Sequence, residues 1–257
     1  MTDSGQRRLP LAYRVVVVIV RPLLVLLTKR DWQGTENLPR TGGFVVCPNH
    51  LSYVEPLTFA HFMYDNGREV YYLAKESVFR IPLVGALVRG AQQIPVYRNS
   101  GQAAEAFRAA LSAIEDQGKC VGVYPEGTLT RDPDLWPMVG KTGAARIALM
   151  TRCPVIPVAQ WGPQEVLAPY SKRVRLFPRK TMHVRAGKPV DLEDLYDKPV
   201  TATVLREATG RIMTAITAEL EVLRGEKAPA DRFDSRKHGL PTTGNFHRAP
   251  RRQEDAG

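Results

Sequence analysis

Gly43-Phe44-Val45-Val46-Cys47-Pro48-Asn49-His50-Leu51-Ser52-Tyr53-Val54-Glu55-Pro56 runs from an apolar segment into a polar loop and on to a residue that opens helices. Residues 43–48 carry apolar side chains on both faces, as a strand covered on two sides does. Pro56 biases Glu55 away from the right-handed helical region and suits the first helical position itself. The helix is therefore expected to begin at Pro56 and to carry Leu57, Phe59 and Phe62. His50 then sits in a strand-to-helix loop and Glu55 at the helix entrance.

The alternation continues along the chain. Strand-like runs EVYYLAK (69–75), QQIPVYR (92–98), KCVGVY (119–124) and CPVIPVAQWG (153–162) are separated by the helical spacing of Ala103, Phe107, Ala110 and Ile114 in 101–118 and by a helix-like 141–150. A late strand follows at 181–190. A final amphipathic helix spans about 203–224, with Leu205, Ala208, Ile212, Ile216, Leu220 and Leu223 on one face and Gly225 as its stop. Strands alternating with helices indicate an α/β protein, and 257 residues suffice for one sizeable core. The expected organisation is an N-terminal segment 1–30, a catalytic domain 31–225 that starts with a linker (31–40), and a disordered tail 226–257 rich in Pro, Gly, Arg and Asp.

With 36 Lys and Arg against 26 Asp and Glu, the net charge is +10, which favours anionic partners: a membrane surface, a phosphorylated metabolite or nucleic acid. The basic cluster SKRVRLFPRK (171–180) would serve the last of these, but it matches no nucleic-acid motif and nucleic acid is not expected as a partner. Cys47, Cys120 and Cys153 are odd in number and lie in or beside apolar runs, so they read as reduced, buried thiols of a cytosolic protein. No Cys/His pair has zinc-ligand spacing, and no metal is expected.

Residues 9–28, LPLAYRVVVVIVRPLLVLLT, are strongly apolar but interrupted by Arg14, Arg21 and Pro22, with no cleavage site of the signal-peptide kind. Seven helical positions amount to about 700°, nearly two turns, so both arginines project from one side. The expectation is a membrane-associating helical hairpin bent at Pro22, lying in the interface with its arginines at the headgroups. Arg7, Arg8, Lys29 and Arg30 would add attraction to anionic lipid.

A His with an acid five positions on means little alone, since chance supplies roughly half such a pair in a chain of this composition. Here it has company in order: Asn49-His50 with Glu55, then Ile94-Pro95-Val96-Tyr97-Arg98, then Tyr124-Pro125-Glu126-Gly127-Thr128, then Val155-Ile156-Pro157-Val158. These four blocks resemble, in sequence and order, those of the glycerolipid acyltransferase family typified by 1-acylglycerol-3-phosphate O-acyltransferase (PlsC type). The resemblance covers about 43–162 and, more loosely, the chain to about 224. Two positions depart from the family pattern: its aspartate is Glu55 here, and the arginine after Pro-Glu-Gly-Thr is Leu129.

The resemblance implies a single α/β domain with a mixed, mostly parallel central sheet flanked by helices. It also implies transfer of a fatty acyl group from a thioester, carried by coenzyme A or acyl-carrier protein, to the hydroxyl of a lysophosphatidic-acid-like glycerol phosphate lipid in phospholipid biosynthesis. No cofactor beyond the donor is called for. An alcohol is a poor nucleophile at neutral pH, so His50 is the candidate base and Glu55 the group that holds its tautomer. Arg98 is the first candidate for the acceptor phosphate, because a guanidinium fork matches phosphate oxygens. Glu126, Gly127 and Thr128 would wall the acceptor site, Glu126 through a bond to an acceptor hydroxyl, with Arg131 and Lys141 as further phosphate ligands. The protein would then work peripherally on the cytoplasmic side of the cell membrane.

Three rivals compete. Cys47 could carry an acyl-enzyme. A catalytically silent lipid- or membrane-binding protein would explain Glu55 and Leu129 as decay. The acceptor could also be a more elaborate phospholipid or a glycolipid.

Overall fold

The computed structural model describes residues 9–96 and 100–241, leaving aside the side chains of 100–103. The helices are α1 (Leu11–Leu27), α2 (Glu55–Asp65), α3 (Glu76–Phe79), α4 (Val84–Gly90), α5 (Ser100–Glu115), α6 (Gly143–Thr151), α7 (Pro163–Val166) and α8 (Ala202–Arg224). The strands are β1 (Thr28–Gln33), β2 (Phe44–Pro48), β3 (Val70–Lys75), β4 (Ile94–Val96), β5 (Cys120–Gly122), β6 (Val155–Trp161) and β7 (Lys180–Ala186). They form one seven-stranded sheet in the order β1-β7-β6-β2-β5-β3-β4. Every pairing is parallel except β6 with β7. This is the expected mixed, mostly parallel α/β sheet.

The apolar run at 44–48 is buried at every position because β2 has helices on both faces. Its side chains alternate between two cores. Val45 and Cys47 join Val121, Ala144, Ile147, Ala148, Leu205, Ala208, Ile212 and Ile216 from α6, α8 and the neighbouring strands. Phe44 and Val46 join Phe59, Phe62, Met63, Ile156, Val158 and Val184 on the α2 side. At about 1.5–3 kcal/mol for each fully buried side chain of this size, these two layers supply the main driving force for folding. The last helix follows the sequence closely: Thr201 accepts from Val204 N–H at its start, and Gly225 at φ 65° closes its end. Leu57, expected on the buried face of α2 with Phe59 and Phe62, is exposed instead.

Three expectations need correction. Residues 28–33, partly assigned to the linker, form β1, which pairs along its whole length with β7. The sequence TKRDWQ lacks apolar alternation because β1 is an edge strand, where charged residues discourage pairing with other chains. No hairpin forms at Pro22: α1 continues through it to Leu27. Pro removes one helical N–H, and the packing of α1 against α2 and α4 outweighs that loss. Finally, the stretch from Glu226 to Pro241 lies against the body, where Phe233 accepts from Val139 N–H at 3.0 Å and Ser235 is buried beside Met138. The rest of the expected tail, 242–257, lies outside the described residues, as do residues 1–8 with Arg7 and Arg8.

The pairings place several segments at one end of the sheet. The carboxyl ends of β2, β3, β5 and β6 coincide there, and because β7 runs against β6, the amino ends of β7 and β1 arrive at that same end. Open parallel sheets bind ligands at this end of their strands.

Candidate active site

His50 leaves β2 at that end and is held from three sides. Its backbone N–H donates to Glu126 Oε1 at 2.9 Å, its carbonyl accepts from Thr130 N–H at 2.6 Å, and its ring Nδ1 bonds Glu55 Oε1. Glu55 is fully buried, and its second oxygen accepts from the N–H groups of Leu51 at 2.6 Å and Ser52 at 2.8 Å. One carboxylate thus fixes both the loop and the imidazole, and its place in the first turn of α2 suits a negative charge. Asn49 pins the start of the loop: its side chain accepts from Gln160 N–H at 2.7 Å and donates to Gln160 O at 3.1 Å. Ser52 Oγ donates to Leu167 O at 2.7 Å.

The imidazole also lies against a ring. Tyr124 stacks on His50 at 4.2 Å between centroids and 28° between planes, and Tyr72 stacks behind Tyr124 at 6.0 Å. Burial pushes both phenols well above their ordinary range, so they remain neutral. Tyr124 was part of a recognised block, but its role as the surface against which the histidine rests could not be read from spacing.

His50 borders a cavity of about 700 Å³. One wall is the inner face of α1, with Val16, Val17, Val20 and Leu24; opposite lie Pro56, Leu57, Ala60 and Tyr64 of α2. Leu57 is exposed because it faces this space. Gly127, Thr128 and Leu129 also line it, and Lys75 reaches the lining from the end of β3. Lys75 escaped the sequence reading, although the carboxyl end of a parallel strand is a place to look for such a residue. His61, on the α2 wall, is pushed below its ordinary range by burial.

The remaining expected residues divide. Gly127 has φ 66°, and a Cβ there would lie 2.8 Å from Lys141 Nζ, so the loop needs glycine and Lys141 lies over it. Thr128 reaches the cavity, with its hydroxyl 3.4 Å from that of Tyr170. Glu126, expected at the acceptor site, does not border the cavity. It is 2% exposed, and its oxygens accept from the N–H groups of His50 and Met138, at 2.9 and 3.0 Å. Burial raises its carboxyl to about 8, against the pull of those two amides. Arg131 is 6% exposed beneath the loop and does not border the cavity, which argues against its use as a phosphate ligand. Arg98 lies outside the described residues.

Cys47 is fully buried in the core, and burial raises its thiol far above the range in which a thiolate forms. An acyl-enzyme at Cys47 is thereby set aside. All three cysteines are free and buried, as expected. Among the described residues no group of His, Cys, Asp and Glu could hold a metal ion, and no helix is long and apolar enough to cross a membrane.

Comparison with known proteins gives a concordant result. The family model described as Acyltransferase matches residues 29–161, just over half of the chain. The 1-acyl-sn-glycerol-3-phosphate acyltransferase of Borreliella burgdorferi is 26% identical over 176 residues, covering 68% of this chain and 67% of that protein. Its namesake in Bacillus subtilis is 28% identical over 165 residues, covering 64% and 75%. The crystal structure of the 1-acyl-sn-glycerophosphate (LPA) acyltransferase, PlsC, from Thermotoga maritima matches with a TM-score of 0.62 over 84% of this chain and 81% of that one. At 23% identity, that likeness establishes the shared fold.

Proposed function

This chain belongs to the Acyltransferase family, and from that premise we propose that it moves a fatty acyl group from an acyl thioester to the free hydroxyl of a lysophosphatidic-acid-like lipid. The observation that carries the reading is the placement of an oriented imidazole on the lining of a largely apolar cavity. A hydrocarbon chain fits such a space, and a water-soluble acyl acceptor alone would not call for it.

In this mechanism Glu55 takes the proton side of His50 Nδ1, which leaves Nε2 free to accept the hydroxyl proton as the acceptor oxygen attacks the thioester carbonyl. The tetrahedral intermediate collapses with cleavage of the carbon–sulfur bond, and the imidazolium returns the proton to the departing thiolate. Glu55 stabilises the imidazolium in between, as the carboxylate of a Ser-His-Asp triad does. The nucleophile belongs to the substrate, so no catalytic Ser or Cys is needed. Thr128 and Lys75 on the cavity lining, and Lys141 over Gly127, suit a phosphorylated acceptor, with Arg98 as the remaining phosphate ligand implied by its block.

The enzyme works peripherally at the cytoplasmic face of a membrane that contains anionic lipid. The inner face of α1 lines the cavity, while its outer face exposes Leu11, Val15, Val18, Ile19, Leu23 and Leu26 as one helical stripe. Arg21 does not reach for headgroups as expected: it donates to Asp65 at 2.9 Å, and Arg30 joins the same carboxylate at 3.3 Å. The Arg21 bond ties α1 to α2 beside the cavity, and Arg14 remains exposed.

The test is incubation of purified protein with labelled acyl-coenzyme A or acyl-carrier protein and a panel of lyso-lipid acceptors, with products identified by mass spectrometry. Acylated glycerol phosphate lipid formed by the wild type and lost in His50→Ala is the expected result. Acylation confined to a glycolipid or an elaborate phospholipid would replace the acceptor, and no acyl transfer to any member would leave only lipid binding.

A further inference from the structure

The segment from Lys172 to Arg179 has no use in the chemistry above, yet the fold delivers it to the active-site end of the sheet. It feeds β7 as α1 feeds β1, and the two strands begin in register, Thr28 beside Lys180. Arg179 ties the two approaches together by donating to the carbonyls of Val25 at 2.8 Å and Thr28 at 2.6 Å, at the carboxyl end of α1. On its other side Arg175 N–H donates to the carbonyl of Val166 at 2.8 Å, next to Leu167, whose carbonyl accepts from Ser52 in the His50 loop.

The composition of this segment is unusual for a surface loop. Val174 is 55% and Phe177 75% exposed, with Leu176 between them also exposed. They alternate with Lys172, Arg173 and Arg175, whose exposed side chains form no hydrogen bond or ion pair among the described residues. Exposed apolar tips set among unpaired cations are poor candidates for water alone. A nucleic acid or an acidic protein would use the cations without needing the tips, whereas an anionic bilayer takes both, the tips in its acyl boundary and the cations among its headgroups. The exposed end of the α1 stripe, at Leu26, adjoins the same place.

We propose that residues 172–177 are a second membrane anchor, specific for anionic lipid, which acts with α1 to seat the mouth of the cavity on the bilayer. α1 supplies apolar area and this loop supplies most of the charge. The inference rests on the membrane reading given above.

The experiment compares wild type, Arg173→Gln/Arg175→Gln, Arg173→Lys/Arg175→Lys, Val174→Ser/Phe177→Ser and Val18→Gln/Ile19→Gln, all as full-length chains. Binding is measured by sedimentation with vesicles of pure phosphatidylcholine and with vesicles containing phosphatidylglycerol. Acyl transfer to a dispersed short-chain acceptor is followed in parallel as a check of folding. The glutamine pair should weaken binding to anionic vesicles roughly tenfold or more and flatten its salt dependence, and the lysine pair should retain it. The serine pair should weaken binding to both vesicle types, and all should keep activity on the dispersed acceptor. Loop variants that bind anionic vesicles as the wild type does, while Val18→Gln/Ile19→Gln does not, would overturn the loop anchor and leave the membrane reading intact. Failure of the wild type to bind any vesicle would overturn both. Loss of transfer from acyl-carrier protein with vesicle binding unchanged would reassign the loop to that acidic protein.

Discussion

The loop from Asn49 to Glu55 and the loop from Pro125 to Arg131 leave neighbouring parallel strands at the same end of the sheet, and each buries a glutamate, but the two carboxylates have different partners. Glu55 divides its oxygens between the imidazole of His50 and two amides of its own loop. Glu126 spends both oxygens on backbone, one on His50 N–H and one on Met138 N–H. The first therefore orients the imidazole, and the second holds in place the loop that carries it. Burial alone does not separate a chemical carboxylate from an architectural one; the atoms that donate to it do.

Removing the group that Glu55 serves gives the largest expected effect. His50→Ala should lower turnover by roughly 10² or more with the fold intact, since the general base is lost. Near wild-type turnover in a folded variant, read by single-turnover kinetics, would remove His50 from the mechanism. Glu55→Gln should approach the same loss by presenting an amide N–H₂ either to Nδ1 or to the loop amides. Glu55→Asp should cost about tenfold or more in kcat, because a carboxylate shortened by one methylene cannot span His50 and the amides of Leu51 and Ser52 together. Full activity in the aspartate variant would show that the pair tolerates the shorter acid.

Glu126 should respond mainly in stability. Glu126→Gln sets an N–H₂ against a backbone N–H and should destabilise by about 1–3 kcal/mol in denaturant unfolding, with a smaller fall in kcat as the His50 loop loosens. A loss of turnover as deep as that of Glu55→Gln, at unchanged stability, would make Glu126 a chemical residue and break the contrast. Its titration offers a second test. The folded carboxyl, raised to about 8 by burial, holds its proton more tightly than the unfolded one near 4.5. The contribution is therefore fully present below about 4.5 and is lost as pH rises through about 8. Unfolding midpoints of the wild type should fall across that window, and those of Glu126→Gln should fall less.

The smallest effect is expected at Tyr124. Its ring face lies on the imidazole, where it steadies the ring. Tyr124→Leu should lower kcat several-fold with KM little changed, and Tyr124→Phe should restore it. If phenylalanine were as poor as leucine, the buried hydroxyl and not the ring face would be what matters.

Much of this was legible in order along the chain. The strand at 43–48, the His50 loop, the helix after Glu55 and the last helix up to Gly225 are set by neighbours in sequence, through apolar runs, a helix-opening proline and a closing glycine. β1 was not legible, since its polar residues are explained only by its edge position beside β7. The bond from Glu126 to the backbone of His50 was not legible either, because the two lie 76 positions apart. The same distance effect turned Arg21 from a headgroup contact into a partner of Asp65, 44 positions on.

By itself, the sequence determined the α/β alternation and the pairing of a histidine with a carboxylate at a strand-to-helix loop, since both depend on residue types at short spacing. Only the tertiary structure decided what surrounds that pair. The stacked Tyr124, the cavity beneath α1, the architectural use of Glu126 and the convergence of α1 with residues 172–179 all arise where strands far apart in the chain become neighbours in the sheet. Hydrogen bonding across strands fixes which loops share an end, and that pairing is a property of the whole sheet, which no local stretch of residues contains.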